Sequence, residues 1–160
     1  MDGFLFALTL VTALGCGLNA GVFFAFSSFV MKALARLHPA QGVATMQAIN
    51  VAAFTPAFMA ALFGTAVACA VLAGWALFAW DERFAPFLLV GSVLYLVGTI
   101  LLTILYHVPQ NEALARVEPH SADAESHWRR YLSGWTAWNH LRAAASFAAA
   151  GLLTVALQLG

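Results

Sequence analysis

The residues in this chain best equipped for chemistry are gathered in one short stretch, "WTAWNHLR", residues 135 to 142. It holds two indole N–H donors, an amide, an imidazole and a guanidinium, and an apolar helix follows without a break. Arginine keeps its charge under protein conditions, so Arg142 needs acceptors: Asn139, Asn111, carbonyls freed near Pro109, or an anionic ligand. At about 100° per residue, Trp128, Tyr131, Trp138, Asn139, Arg142 and Ser146 all fall within about 60° of Trp135. His140 lies about 140° away and addresses another neighbour or the interface. Three tryptophans in line with Asn139 and Arg142 exceed what an interfacial aromatic belt needs. The competing reading has Arg142 snorkelling to lipid phosphate beside interfacial rings.

A second group lies in "LYHVPQN". Tyr95, Thr99, Thr103 and Tyr106 form a polar stripe at helical spacing, with His107 at its edge and Asn111 beyond Pro109. A stripe of this kind faces protein or a cavity rather than lipid. Imidazole titrates near neutrality, which makes His107 a candidate general base. A third group, Gln47 and Asn50, lies on the apolar stripe of "VATMQAIN" and points inward. These groups together predict a polar pocket at one mouth of a helix bundle. His107 and His140 could instead hold a metal or haem, but no H-x-x-x-H or E-x-x-H spacing supports it. His38, His120 and His127 read as solvated loop residues.

The elements that position these residues follow from composition. Of 160 residues, 62% are apolar and 9% charged. A soluble domain of this length could not hide that much apolar surface. Apolar runs near 3–31, 57–80, 86–108 and 140–159 each approach the roughly 20 residues that span a bilayer. The expected fold is an all-α membrane protein: one domain over 1–160, a four-transmembrane-helix bundle with cytoplasmic amphipathic helical segments before spans two and four. "MDGFLFALTL" has no basic n-region and reads as a retained first span. Six of the seven basic residues, Lys32, Arg36, Arg116, Arg129, Arg130 and Arg142, fall on one side, and Arg83 on the other. The positive-inside rule therefore predicts cytoplasmic 32–56 and 109–139, with both termini outside. Zero net charge gives no reason to expect a nucleic-acid partner.

Finer features fill in the spans. Thr12, Cys16, Asn19, Phe23 and Ser27 share one face of span one, which should look into the bundle, with Asn19 joining helices. Gly17 and Gly21 form a G-x-x-x-G through which another helix, in this chain or a second copy, can approach. Cys16 and Cys69 read as small packing residues. Pro39 suits the first turn of the interfacial helix and Pro56 its end or a kink. Span two is a scaffold ending in Trp75 and Trp80. From Ser121 a helix runs into span four, about 57 Å if unbroken, with Gly134 as the expected bend.

In sequence order, "AGVFFAFSSFVMKAL", "MQAIN" followed by "TPAF", "VPQNEALA" and "WTAWNHLR" resemble the anthrone oxygenase-like family of small four-span membrane proteins. The most typical positions are Asn111, Trp135, Asn139 and Arg142. The resemblance implies a bacterial inner-membrane protein that oxidises a lipophilic aromatic, anthrone- or quinone-like substrate with oxygen and without metal or flavin. On that reading Trp135, Trp138 and Tyr106 form an aromatic slot, His107 is the base, and Arg142 stabilises an anion; Gln47, Asn50 and Tyr95 help to bind the substrate. The alternatives are a non-enzymatic membrane protein that binds lipid or a small molecule, and a haem- or metal-binding redox subunit.

Overall fold

Asp2 caps the first helix, its carboxylate accepting from Leu5 N at 2.8 Å. From there the computed structural model describes all residues 1–160 and is helical throughout. Five helices follow in order. They are α1 (Gly3–Leu34), α2 (Pro39–Ala52), α3 (Pro56–Phe78), α4 (Ala85–Ala115) and α5 (Ala124–Leu159). All but α2 are long and apolar enough to cross a membrane. They close into a ring in which α1 packs along α5, α5 on α4, α4 on α3 and α3 back on α1. The outer surface carries apolar side chains such as Leu14, Leu18, Val67, Phe78 and Leu105, as lipid contact requires. The chain is thus an all-helical multi-pass membrane protein.

The Met1 ammonium donates to Gly160 O at 3.1 Å, so the two termini meet at one end of the bundle. Lys32, Arg36, Arg116, Arg129 and Arg130 collect at the opposite, basic end. There α2 lies across the mouth, burying Val43 and Met46 against Met31, Leu114, Trp128, Tyr131 and Trp135. Gly42 makes this packing possible: a Cβ there would lie 2.6 Å from the Trp128 ring. Helical spacing would carry the stripe of Val43, Met46, Gln47 and Asn50 on to Phe54, but the helix ends at Ala52 and Phe54 is exposed. Pro56 opens α3 rather than closing α2, with Thr55 Oγ1 accepting from Phe58 N.

Three spans are longer than their apolar runs. α1 continues to Leu34, and α4 runs through Pro109 to Ala115. A π-turn at Thr103–His107, directly before Val108 and Pro109, opens the helix where the proline lacks an N–H and would crowd the preceding turn. α5 is one unbroken helix of 36 residues starting at Ala124, so the segment before span four is its first half. Gly134 does not interrupt it. It admits the Tyr106 hydroxyl, which would lie 2.6 Å from a Cβ at that position. Gly17 and Gly21 face open space.

Further π-turns lie at Phe26–Val30, Ala60–Gly64 and Leu96–Leu101, whereas α5 has none. Such turns weaken the intrahelical ladder and leave carbonyls available to side chains. Asn19 Nδ2 donates to Ala61 O (3.1 Å) and Tyr95 Oη to Leu62 O (3.1 Å). These two bonds tie α1 and α4 to α3 at mid-bundle.

Candidate functional site

The regular face of α5 lays down the site in turns. Trp128, Tyr131, Trp135, Asn139, Arg142 and Ser146 are all buried, while His140 is exposed on another side. Trp138, placed on the same face by spacing, lies at its margin and is 43% exposed. It leans on Tyr106, ring centroids 5.3 Å apart.

Arg142 is the centre of the arrangement and is only 6% exposed. Its Nε and Nη2 both donate to Asn139 Oδ1, at 3.1 and 2.6 Å, and Nη1 donates to Thr103 Oγ1 at 3.1 Å. Of the five guanidinium N–H groups, three are thereby used. The Phe23 ring covers one face, 4.0 Å from Cζ, and Trp135 approaches to 5.5 Å. No carboxylate is near: the chain's one ion pair joins Arg129 to Glu125 at the surface. The charge is therefore held by neutral acceptors and ring faces alone. Burying an ion without a counter-charge costs several kcal/mol even after relaxation, on the order of the net stability of many small proteins.

Asn139 carries this charge by being fully committed itself. Its Nδ2 donates to Phe23 O and to Ser27 Oγ, both at 2.7 Å. Those acceptors stand at the edge of the Phe26–Val30 π-turn. Above Arg142, Ser146 donates to Arg142 O (3.0 Å) and, its one proton so used, accepts from Thr99 Oγ1 (2.6 Å). Thr103 donates onward to Thr99 O (2.6 Å). The stripe on α4 thus meets the stripe on α5 through hydroxyls.

His107 is 1% exposed, and neither ring nitrogen completes a well-formed hydrogen bond, although the Trp138 carbonyl on α5 lies within reach of one of them. Buried polar atoms are nearly always paired, so an imidazole held this loosely is a marked exception. The ring stands edge-on to Trp135 (5.0 Å, 81°) and to Tyr106 (5.5 Å, 84°). His107 and Arg142 therefore share Trp135 as a neighbour. A neutral imidazole offers one nitrogen able to accept a proton, and the guanidinium offers spare donors to a developing anion.

The remaining predicted residues hold this centre in place. Asn111 Oδ1 accepts from Tyr131 Oη (2.7 Å) and Trp135 Nε1 (3.0 Å), which fixes the Trp135 ring. Gln47 Nε2 donates to Leu114 O and Val117 O, each at 2.9 Å, capping the end of α4. Asn50 lies nearby with a buried Nδ2 that has no partner. Tyr95 sits about two turns along α4 from Thr103, in the core towards the terminal end, bonded to Leu62 O. His140 is not brought to His107: it lines an outer groove between α1 and α5, while His107 is enclosed by Tyr106 and Trp135. No set of three His, Cys, Asp or Glu residues is grouped to bind a metal.

Sequence reasoning missed Phe23 and Thr103 as direct partners of Arg142. Thr103 belonged to the recognised stripe, and Phe23 to the recognised face of span one. Only the crossing of α1, α4 and α5 shows that both reach one guanidinium. The groove of about 770 Å³ between α1 and α5, and a cleft of about 420 Å³ at the α2–α5 loops lined by His38, His120 and Glu125, do not include Arg142 or His107. Arg142 and His107 lie inside the bundle.

A family model described as anthrone oxygenase matches residues 53–152. The match takes in His107, Asn111, Trp135, Asn139 and Arg142, and leaves out Phe23 and Ser27 of α1 and all of α2. No curated protein and no solved structure matches the chain.

Proposed function

The chain belongs to the anthrone oxygenase family, and from that premise we propose that it is a cofactor-independent oxygenase of a lipophilic, anthrone- or quinone-like aromatic. The observation that carries this reading is the buried Arg142 charge without a carboxylate, beside a buried His107 whose ring nitrogens complete no well-formed hydrogen bond. A structural arginine in this position would be a cost with no return. An anionic substrate gives it a partner.

An anthrone suits such a site. It is flat and apolar, and its phenol and ring methylene are weakly acidic. His107 takes a methylene proton, and Arg142 stabilises the resulting oxyanion where its spare N–H groups point. The electron-rich anion reduces molecular oxygen directly. One oxygen atom remains on the former methylene carbon as a carbonyl, and the other leaves as water with the two hydrogens. Trp135 provides a ring face, and the Tyr106–Trp138 pair forms the wall a substrate passes on its way from lipid. Asn139 and Asn111 act as positioning residues: one holds Arg142 and the other Trp135.

The positive-inside rule supports a cytoplasmic basic end in a bacterial inner membrane, with both termini outside. A reporter fused after Gly160 and read as cytoplasmic would reverse that placement.

The activity test is oxygen consumption by the purified protein in nanodiscs supplied with an anthrone. His107→Ala should lower kcat about 10²–10⁴-fold, the usual worth of a general base. Arg142→Lys keeps the charge but loses the fork and should lose about 10²-fold. Turnover equal to the parent protein in both variants removes the site from the reaction. Anthrone binding with no oxygen uptake by the parent protein assigns it to the non-enzymatic binders, and a Soret band on purification assigns it to haem.

A further inference from the structure

The groove between the basic-end halves of α1 and α5 carries basic and hydroxyl groups that, Ser27 apart, neither the core nor the Arg142 site uses. It is bounded by Ser27 to Ala35 on α1 and Arg129 to His140 on α5, and it is open along one side. Its charged members are Lys32 and Arg129 towards the mouth, and the His140 imidazole stands at the inner end. Lys32 makes no ion pair, and Arg129 shares its charge with Glu125 on the same helix. The mouth is therefore net positive. Between these groups stand Ser27, Ser133 and Thr136. Ser27 Oγ accepts from Asn139 and keeps its own proton to donate. Thr136 makes no side-chain hydrogen bond within the protein, and Ser133 donates only weakly to Arg130 O, at 3.2 Å. Met31 and Leu132 supply apolar wall beside the hydroxyls.

The surroundings of the groove select its occupant. Beyond its inner end, on the same sides of the same two helices by helical spacing, lies an exposed aromatic seam. Phe24 lies one turn beyond Ser28, and Phe147 two turns beyond His140. Their rings meet edge to face at 6.2 Å, and both are about half exposed. A ligand filling groove and seam together has an anionic head with several acceptor oxygens and an apolar tail rising along Phe24 and Phe147. A soluble anion would use the head site alone and leave the seam unmatched. Basic pockets between spanning helices are suited to lipid phosphate, because the headgroup layer presents it at that depth.

We infer that this groove is a binding site for the phosphate of an anionic membrane glycerophospholipid, seated between Lys32 and Arg129 with its acyl chains on Phe24 and Phe147. The site is separate from the oxygenase reading and stands without it. Its one link inward is Ser27, which joins the groove to Asn139 and so to the Arg142 network.

The test uses the full chain in neutral detergent, titrated with short-chain phosphatidylglycerol, with phosphatidylcholine, and with inorganic phosphate. Bound lipid is counted by native mass spectrometry, and Tm is followed in parallel. Phosphatidylglycerol should bind saturably and raise Tm, and the other two should not. Losing one basic residue should weaken binding about fivefold, and Lys32→Ala with Arg129→Ala about thirtyfold. Arg83→Ala, at the other end of the bundle, should leave it unchanged. These substitutions are at exposed positions, so folding is not the readout. Equal stabilisation by phosphatidylcholine, or parent-like binding by the double variant, overturns the proposal. Stabilisation by inorganic phosphate equal to that by the anionic lipid assigns the groove to a free anion and overturns the lipid.

Discussion

The two ends of this bundle are built from the same spanning helices and yet follow different rules. At the terminal end, Leu5, Cys69, Leu72, Ala76, Leu88, Leu153 and Ala156 pack into an apolar core with few polar atoms to satisfy. Small residues let the helices approach, and the contacts are van der Waals. At the basic end the same helices bring in Trp128, Tyr131, Trp135, Asn139, Arg142 and His107, most of them hydrogen-bonded across helices. Lipid tails are as apolar as leucine, so the first arrangement alone suffices to hold spans together. The second costs desolvation and gains no hydrophobic return. The comparison therefore separates an end whose packing holds the spans together from a polar interior whose desolvation cost that packing does not explain.

The largest effect should come from the residue that keeps the polar end satisfied. Asn139→Ala strips two acceptor bonds from a buried guanidinium and leaves Phe23 O and Ser27 Oγ without their donor. We expect a loss of about 3–5 kcal/mol, read as unfolding in mixed micelles. A loss below about 1 kcal/mol would mean that the network is soft and that the contrast between the ends is smaller than drawn.

Next in size is the matching deletion at the apolar end. Leu153→Ala should cost about 2–3 kcal/mol, the lower part of the range for buried leucine, since lipid association offers packing but little transfer energy. Oxygen uptake per folded molecule should stay within about twofold of the parent, because the cavity lies away from Arg142. A fall of tenfold or more would show the two ends to be coupled.

The smallest change in stability, and the one with the opposite sign, belongs to Arg142→Met. It removes an uncompensated charge and keeps much of the side-chain volume. Stability should rise by about 1–2 kcal/mol, as when apolar side chains replace buried ions, while turnover falls about 10²–10³-fold. An unchanged rate with lower stability would recast Arg142 as a structural tie.

Much of this was legible beforehand because helical periodicity is local. The inward face of span one, from Thr12 to Ser27, is buried as its spacing predicts, and so is the Trp128-to-Ser146 face of α5 apart from Trp138 at its margin. The separation of His140 from that face also followed from an angle of about 140°. Span limits were less legible. Hydropathy marks what lipid tolerates, and a helix packed on other helices can continue past that limit, as α4 does from Pro109 to Ala115. The predicted role of Pro109 needed the π-turn to be understood, since a widened turn can absorb a proline without ending the helix.

The sequence by itself determined the class of the molecule, the number of spans, the side of each helix that faces inward and the family. Those properties depend on the chain's local pattern and composition. Only the tertiary structure decided that Asn139 takes its acceptors from Phe23 and Ser27, that Thr103 meets Arg142, that His107 is enclosed without a well-formed hydrogen bond, and that Gln47 caps α4. It also decided that Lys32 and Arg129 border one outer groove and that Phe24 meets Phe147 beyond its inner end. Each of these is a meeting of side chains far apart in sequence, set by helix crossings and π-turns that shift the register on one helix against the next. No spacing along a single helix carries that information.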